Sequence, residues 1–111
     1  MERFVKGDIV ILPFPFSDLS IAKNRPALVA ATLKGDDLIL CQITSQSRDD
    51  GDAIILRQDD FQEGKLNIDS FIRPSRLFTA DASIINYKAG KLKQEKIKIV
   101  DKKLCEIFTR D

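Results

Sequence analysis

The chain has 111 residues, 43% apolar and 32% charged, which gives room for one hydrophobic core and excludes two. Its net charge of +1 excludes a strongly basic or acidic surface as the guide to a partner; the first sixty residues hold seven cations against ten acids and the rest eleven against seven, a mild asymmetry. Histidine is absent, which excludes the commonest general base and the usual triads, so any catalysis falls to Asp, Glu, Arg, Lys, Ser, Thr or Tyr.

The opening segment, Met1 to Asp8, carries acids and lacks the apolar stretch of a signal peptide, and no apolar run approaches the ~20 residues that cross a bilayer. A cytoplasmic protein with no membrane contact is expected. Gly7-Asp8 reads as a turn launching a strand at Ile9–Leu12. Pro13 and Pro15 cannot donate to a ladder, so residues 13–16 should leave the sheet through a bulge or an edge. Residues 17–24 form a polar connection in which Leu19 and Ile21 either tuck under the loop or await a partner. The stretch Lys23–Leu33 opens with two cations around Asn24, then runs almost unbroken in small and β-branched apolar residues, the pattern of a strand buried on both faces. Arg25 stands where loop becomes rigid sheet, a junction at which binding and catalysis concentrate; the plainer alternative is a solvated strand cap. Lys34–Asp37 is a hairpin signal with Gly35 available for positive φ, and Leu38–Ile43 is the returning strand. Thr44 then emerges at the same end of the sheet as Arg25.

Residues 44–52 contain no apolar side chain, and a strand follows at 53–57. Residues 58–66 read as a connection with at most one helical turn around Asp60–Gln62. Ser70–Arg73 and Arg76–Thr79 read as short strand pieces split by Pro74, and Ser83–Leu92 holds the last strand. From about Gln94 to Thr109 the period changes: Ile97, Val100, Leu104, Ile107 and Phe108 recur at helical spacing, a stripe to lay against the sheet. Cys41 and Cys105 fall in apolar segments with no partner at metal-ligand spacing, which predicts two buried, reduced thiols. No carboxylate cluster offers ligand spacing, so neither metal nor cofactor is expected. Short strands, tight turns and one terminal helix, without repeats or linkers, describe a single domain over residues 1–111. It is mainly β: a small, strongly bent antiparallel β-barrel with a C-terminal α-helix packed on it.

Four stretches carry a resemblance: Gly7-Asp8-Ile9-Val10, Pro13-Phe14-Pro15, Arg25-Pro26-Ala27-Leu28-Val29 and Ile43-Thr44-Ser45-Gln46. In this order they resemble the MazF/PemK family of toxins from bacterial toxin–antitoxin systems, with weaker matches at Asp69–Arg73 and in the closing helix. The resemblance implies an SH3-like barrel, a homodimer, and a metal-independent endoribonuclease that cuts single-stranded RNA at short sequences and leaves a 2′,3′-cyclic phosphate. It implies Arg25 and Thr44 as the catalytic residues, and a cognate antitoxin whose disordered tail covers the RNA groove. The chemistry is compatible. A guanidinium offers planar, bidentate donors to phosphate oxygens and can stabilise a phosphorane, and a threonine hydroxyl can hold an oxygen in line without acting as a base. Some family members carry an aspartate two residues after the arginine equivalent to Arg73, and a loop histidine; this sequence has Ser75 and no histidine, so proton transfer is the open step.

Around that pair, Lys23 and Asn24 either contact phosphate and base or remain solvated. Ser45, Gln46 and Ser47 either hydrogen-bond base edges or fill the loop, and Phe16 either stacks on a base or packs. Arg73 and Arg76 extend a basic surface or pair with Asp69 and Asp81. Asp8 is expected to cap a turn, and the lysines between 88 and 103 to form a solvated face. Two rival functions remain: a toxin of the same fold that binds DNA gyrase through its terminal helix, as the CcdB family does, and an RNA-binding module that has lost cleavage.

Overall fold

The computed structural model describes residues 3–14, 23–46 and 50–111. Within them the chain runs β1 (Asp8–Pro13), β2 (Asn24–Thr32), β3 (Asp37–Thr44), β4 (Ile54–Leu56), β5 (Phe61–Gly64), β6 (Ser70–Asp81), β7 (Tyr87–Leu92) and α1 (Gln94–Thr109). Short 3-10 turns at Gln58–Asp60 and Ala82–Ile84 precede β5 and β7. All pairings are antiparallel, in the order β4-β6-β3-β2-β1-β7-β5, a sheet curled into a half-barrel. No helix among the described residues is long and apolar enough to cross a membrane.

The β2–β3 hairpin lies at the centre of the order because its residues are apolar on both faces. Strand alternation sends Leu28, Ala30, Cys41 and Ile43 to one side, where Ile97 and Val100 of α1 cover them. Ala27, Val29, Leu38 and Leu40 go to the other side, into a second cluster with Leu12 and Phe14. Each fully buried Leu, Ile or Val contributes about 1.5–3 kcal/mol, so both faces are firmly set. Gly35 turns the hairpin at φ +88°, and α1 spans the expected residues. Its stripe is covered unevenly: Ile97 and Val100 are buried and Leu104 packs beside them, but Phe108, near the C-terminal end, is 69% exposed.

Several expectations are corrected by tertiary context. β6 is one strand of twelve residues, because Pro74, Ser75 and Arg76 are accommodated as a bulge between the pairs Cys41–Leu77 and Gln42–Arg73. A bulge frees the proline from supplying a ladder donor. Part of the connection expected at 58–66 is strand: β5 pairs with β7, and only Phe61 of its four residues turns inward, too weak an alternation to read. Cys41 is buried, and burial pushes its thiol up to about 12, but Cys105 is exposed on α1; both are free. The lysines of 88–103 are not all solvated. Lys88 pairs with Glu63 at 3.1 Å and Asp8 at 3.4 Å, and Lys96 with Asp60 at 3.3 Å. Asp8 does hold a turn, accepting from the Val5 amide at 2.8 Å.

Candidate functional site

The end of the sheet where β2 begins and β3 ends is built by register. Ala27 lies opposite Gln42, and two residues further along each strand the same alternation brings Arg25 beside Thr44. Both face the side away from α1. With Lys23, Ser45 and Gln46 they line one cleft of about 460 Å³. Asn24 lines it too, its side-chain oxygen accepting from the Asn86 amide at 2.9 Å. Phe16, Ser47, Leu19 and Ile21 lie outside the described residues.

Arg25 is half-buried, and its guanidinium has no ion pair or hydrogen bond among the described residues. No acid lines the cleft among the described residues, so none of them compensates the positive charge that Lys23 and Arg25 place there. The Thr44 hydroxyl accepts from the Gln46 amide at 3.2 Å, which leaves its own proton available to donate outward. That fold-back also turns Ser45 and Gln46 into solvent. Such a site can bind a phosphodiester: a fixed cation meets the charged oxygens, and a neutral hydroxyl completes the contact. Among the described residues no group of three or more His, Cys, Asp or Glu could hold a metal ion.

Arg73 stands apart. It shares the sheet face of Thr44, being opposite Gln42, but does not line the cleft. Its expected partner Asp69 is replaced by Asp50, whose carboxylate accepts from the Arg73 guanidinium and from the Ser75 hydroxyl, each at 3.1 Å. Asp50 also accepts from the amides of Asp52 and Ala53. The Asp52 amide first, and Arg73 and Ser75 after it, hold the Asp50 carboxyl down at about 2. Arg76 has no ion pair among the described residues, and Asp81 instead caps the turn at Ser83, at 2.8 Å.

Sequence reasoning missed two features. The third wall of the cleft comes from Leu66, Asn67 and Ile68 in the loop between β5 and β6 and from Ser70 at the start of β6, and the loop carries no pattern to place it. The far end of the polar stretch is anchored at Asp52, which is buried and takes a two-pronged contact from Arg110 beyond α1, at 3.0 and 2.9 Å. That guanidinium holds the Asp52 carboxyl below the usual carboxylate range. A larger cavity, about 690 Å³, lies at the opposite end of the sheet beside Phe4, Leu33 and Leu38. Its cations Arg3 and Lys6 share the lining with Asp36 and Asp81. Size therefore favours that cavity, but the smaller cleft places a cation that no described residue answers in the same lining as a hydroxyl, and it is the chemistry that marks a site.

The family model for PemK-like, MazF-like toxins of type II toxin–antitoxin systems matches residues 5–108. Among solved structures, the chain is similar to an endoribonuclease in complex with its cognate antitoxin from mycobacterial species, with TM-score 0.77 and 9% identity over 98% of each chain. It is similar to the Mycobacterium tuberculosis toxin MazF-mt6, with TM-score 0.72 and 18% identity over 94% of this chain and 98% of that one. A MazE–MazF crystal structure from Deinococcus radiodurans gives TM-score 0.76 and 16% identity over the whole of both chains. At these identities the structural likeness speaks for the fold. No curated protein matches the sequence.

Proposed function

Because the chain belongs to the PemK-like, MazF-like toxins of type II toxin–antitoxin systems, we propose that it is a sequence-specific, metal-independent endoribonuclease acting on single-stranded RNA in the cytoplasm. The observation that carries this reading is the guanidinium of Arg25, without an ion pair or hydrogen bond among the described residues, in the same cleft as the Thr44 hydroxyl and with no described acid lining it. In the reaction the RNA 2′-hydroxyl loses its proton and attacks the adjacent phosphorus. The bond from phosphorus to the 5′-oxygen breaks, that oxygen takes a proton, and a 2′,3′-cyclic phosphate remains. Arg25 stabilises the charge gathering on the non-bridging oxygens, often the largest single catalytic contribution. Thr44 donates to one of those oxygens and fixes the phosphate in line. Lys23 contributes charge along the strand, while Asn24, Ser45 and Gln46 supply groups for base edges. Phe16, as a stacking partner for a base, and Ser47, as a donor or acceptor for a base edge, are part of the proposal but lie outside the described residues, and Arg73 flanks the cleft with its charge largely answered by Asp50.

A homodimer framing the RNA groove, and a cognate antitoxin whose acidic and apolar tail competes with RNA, complete the proposal; structural neighbours described as antitoxin complexes support the second part. A second reading, an RNA-binding module without cleavage, draws on Asp50: the carboxyl nearest Ser75 is held at about 2 and is a weak base. Incubating the purified protein with a long unstructured RNA, with and without excess EDTA, separates the two. Cleavage that persists in EDTA and leaves 5′-hydroxyl ends is expected. RNA bound but intact favours the second reading, and activity lost on chelation and restored by magnesium overturns the mechanism.

A further inference from the structure

The cleft has a wall that neither β2 nor β3 provides. Leu66, Asn67, Ile68 and Ser70 line it opposite Arg25 and Thr44, and their chemistry differs from the rest. Asn67 is exposed and its side-chain amide has no hydrogen-bond partner among the described residues. Ile68 is 64% exposed, an aliphatic side chain held out in water at the rim of a polar cleft. Neither bears charge.

This tip is held from both sides. Gly64 takes φ +73° and passes so close to β7 that a Cβ there would lie 2.2 Å from the Ala89 carbonyl oxygen, so the chain can leave β5 at this point only through glycine. The Lys65 amide then donates to that carbonyl at 3.3 Å, and the Leu66 amide to the side-chain oxygen of Gln58 at 3.3 Å, while the Leu66 side chain packs against the helix-side core. Beyond the tip, Ser70 is buried, and its hydroxyl donates to the Ile68 carbonyl at 2.9 Å. Buried anchors on either side of two exposed residues fix where the tip stands.

We propose that Asn67 and Ile68 form a nucleobase subsite that sets part of the sequence preference of the RNA cleft. The proposal rests on the reading of the cleft as an RNA site. Phosphate recognition is met on the other walls by Lys23 and Arg25; an amide and an aliphatic plane match a base instead, which presents a hydrogen-bonding edge and an apolar face. An amide donates and accepts at once, so it discriminates between base edges, and Ile68 excludes water from the base it covers. Anchoring the tip limits the entropy lost when a base docks.

A pool of random-sequence single-stranded RNA, cleaved to low conversion and sequenced at its new ends, tests this. The parent should prefer one base at several positions around the cut. Asn67→Ala should weaken the preference at one of those positions by roughly tenfold or more. Ile68→Ser should raise KM, and Asp69→Asn, next along the chain but not lining the cleft, should keep the parent's profile. All three positions are exposed, so parent-like melting temperatures are expected. An Asn67→Ala profile identical to the parent's overturns the proposal and leaves the tip as a surface for a protein partner. A profile changed equally by Asp69→Asn also overturns it, because loop disturbance would then explain the effect. Failure of the parent to cleave any RNA removes the functional reading itself, a result distinct from either.

Discussion

Arg25 and Arg73 lie on strands that flank β3, on the same face of the sheet, and their surroundings differ in one respect. Arg25 has no partner among the described residues. Arg73 meets the Asp50 carboxylate at 3.1 Å, with its side chain only 14% exposed. A cation already answered by a carboxylate has little field left for a phosphate, since binding RNA must first compensate for the lost ion pair. A half-buried cation with no counter-charge keeps its field for whatever anion enters. On the proposed reading the two arginines have different work, Arg25 toward the ligand and Arg73 toward the fold. It also explains why Ser75, beside Arg73, belongs to a structural cluster rather than to the cleft.

The sharpest way to break this comparison is to remove each guanidinium in turn. Arg25→Ala should lower the cleavage rate by about 10²–10³-fold, the usual cost of deleting one donor to a developing oxyanion, with a melting temperature near the parent's. Arg25→Lys should restore activity only in part, because a point charge lacks the bidentate fork. Rates on a single-stranded RNA in excess over KM measure both, and a folded Arg25→Ala at the parent rate would end the assignment. Thr44→Ala should cost about tenfold, the worth of one hydrogen bond at 1–1.5 kcal/mol, while Thr44→Ser, keeping the hydroxyl, should stay close to the parent.

Much of this arrangement was legible in the residues. The run Arg25–Leu33 announced a buried strand with a cation at its mouth, and Lys34–Asp37 the turn that returns Thr44 to the same end; strand period and hairpin closure then leave little freedom. The α1 stripe was equally plain because its period is sustained over sixteen residues. Long-range pairing of side chains was not legible. Nothing local tells Arg73 to choose Asp50, 23 residues away, over Asp69 close by, because the choice depends on how the chain after β3 comes back over β6. The bulge at Pro74 hid behind a residue that usually ends strands, and the 66–70 wall carries no periodicity at all. Such features arise from where elements are brought together, and a single sequence records them only as polar filler.

A smaller effect separates the second arginine from the first. Arg73→Ala should leave the rate on RNA within a few-fold of the parent while lowering stability by about 1–3 kcal/mol, because Asp50 loses a charged hydrogen bond in a partly buried place. Its signature is in acid. Asp50 has its folded value depressed to about 2 from an ordinary 3.8, so the stability it contributes is complete above 3.8 and is lost as pH falls through about 2. Urea melts over that range should fall more steeply for the parent than for Asp50→Asn, which cannot titrate. Parallel slopes would mean that the cluster is not formed in solution, and Arg73 would then be as free as Arg25.

The smallest expected effect is at Ser75. Its hydroxyl donates to Asp50 at 3.1 Å, and three other donors among the described residues reach the same carboxylate: Arg73 and the amides of Asp52 and Ala53. An acceptor so well supplied loses little when one neutral donor is removed, at most about 0.5–1.5 kcal/mol. Because Ser75 is exposed on the bulge, water can replace the lost hydroxyl. Ser75→Ala should therefore cleave RNA at nearly the parent rate and melt slightly earlier. Ser75→Asp should do worse, since a second carboxylate beside Asp50 would repel it and compete for Arg73. If Ser75→Ala is inactive although folded, while Arg25→Ala retains activity, the two arginines have exchanged roles and the chemistry belongs to the 73–76 bulge.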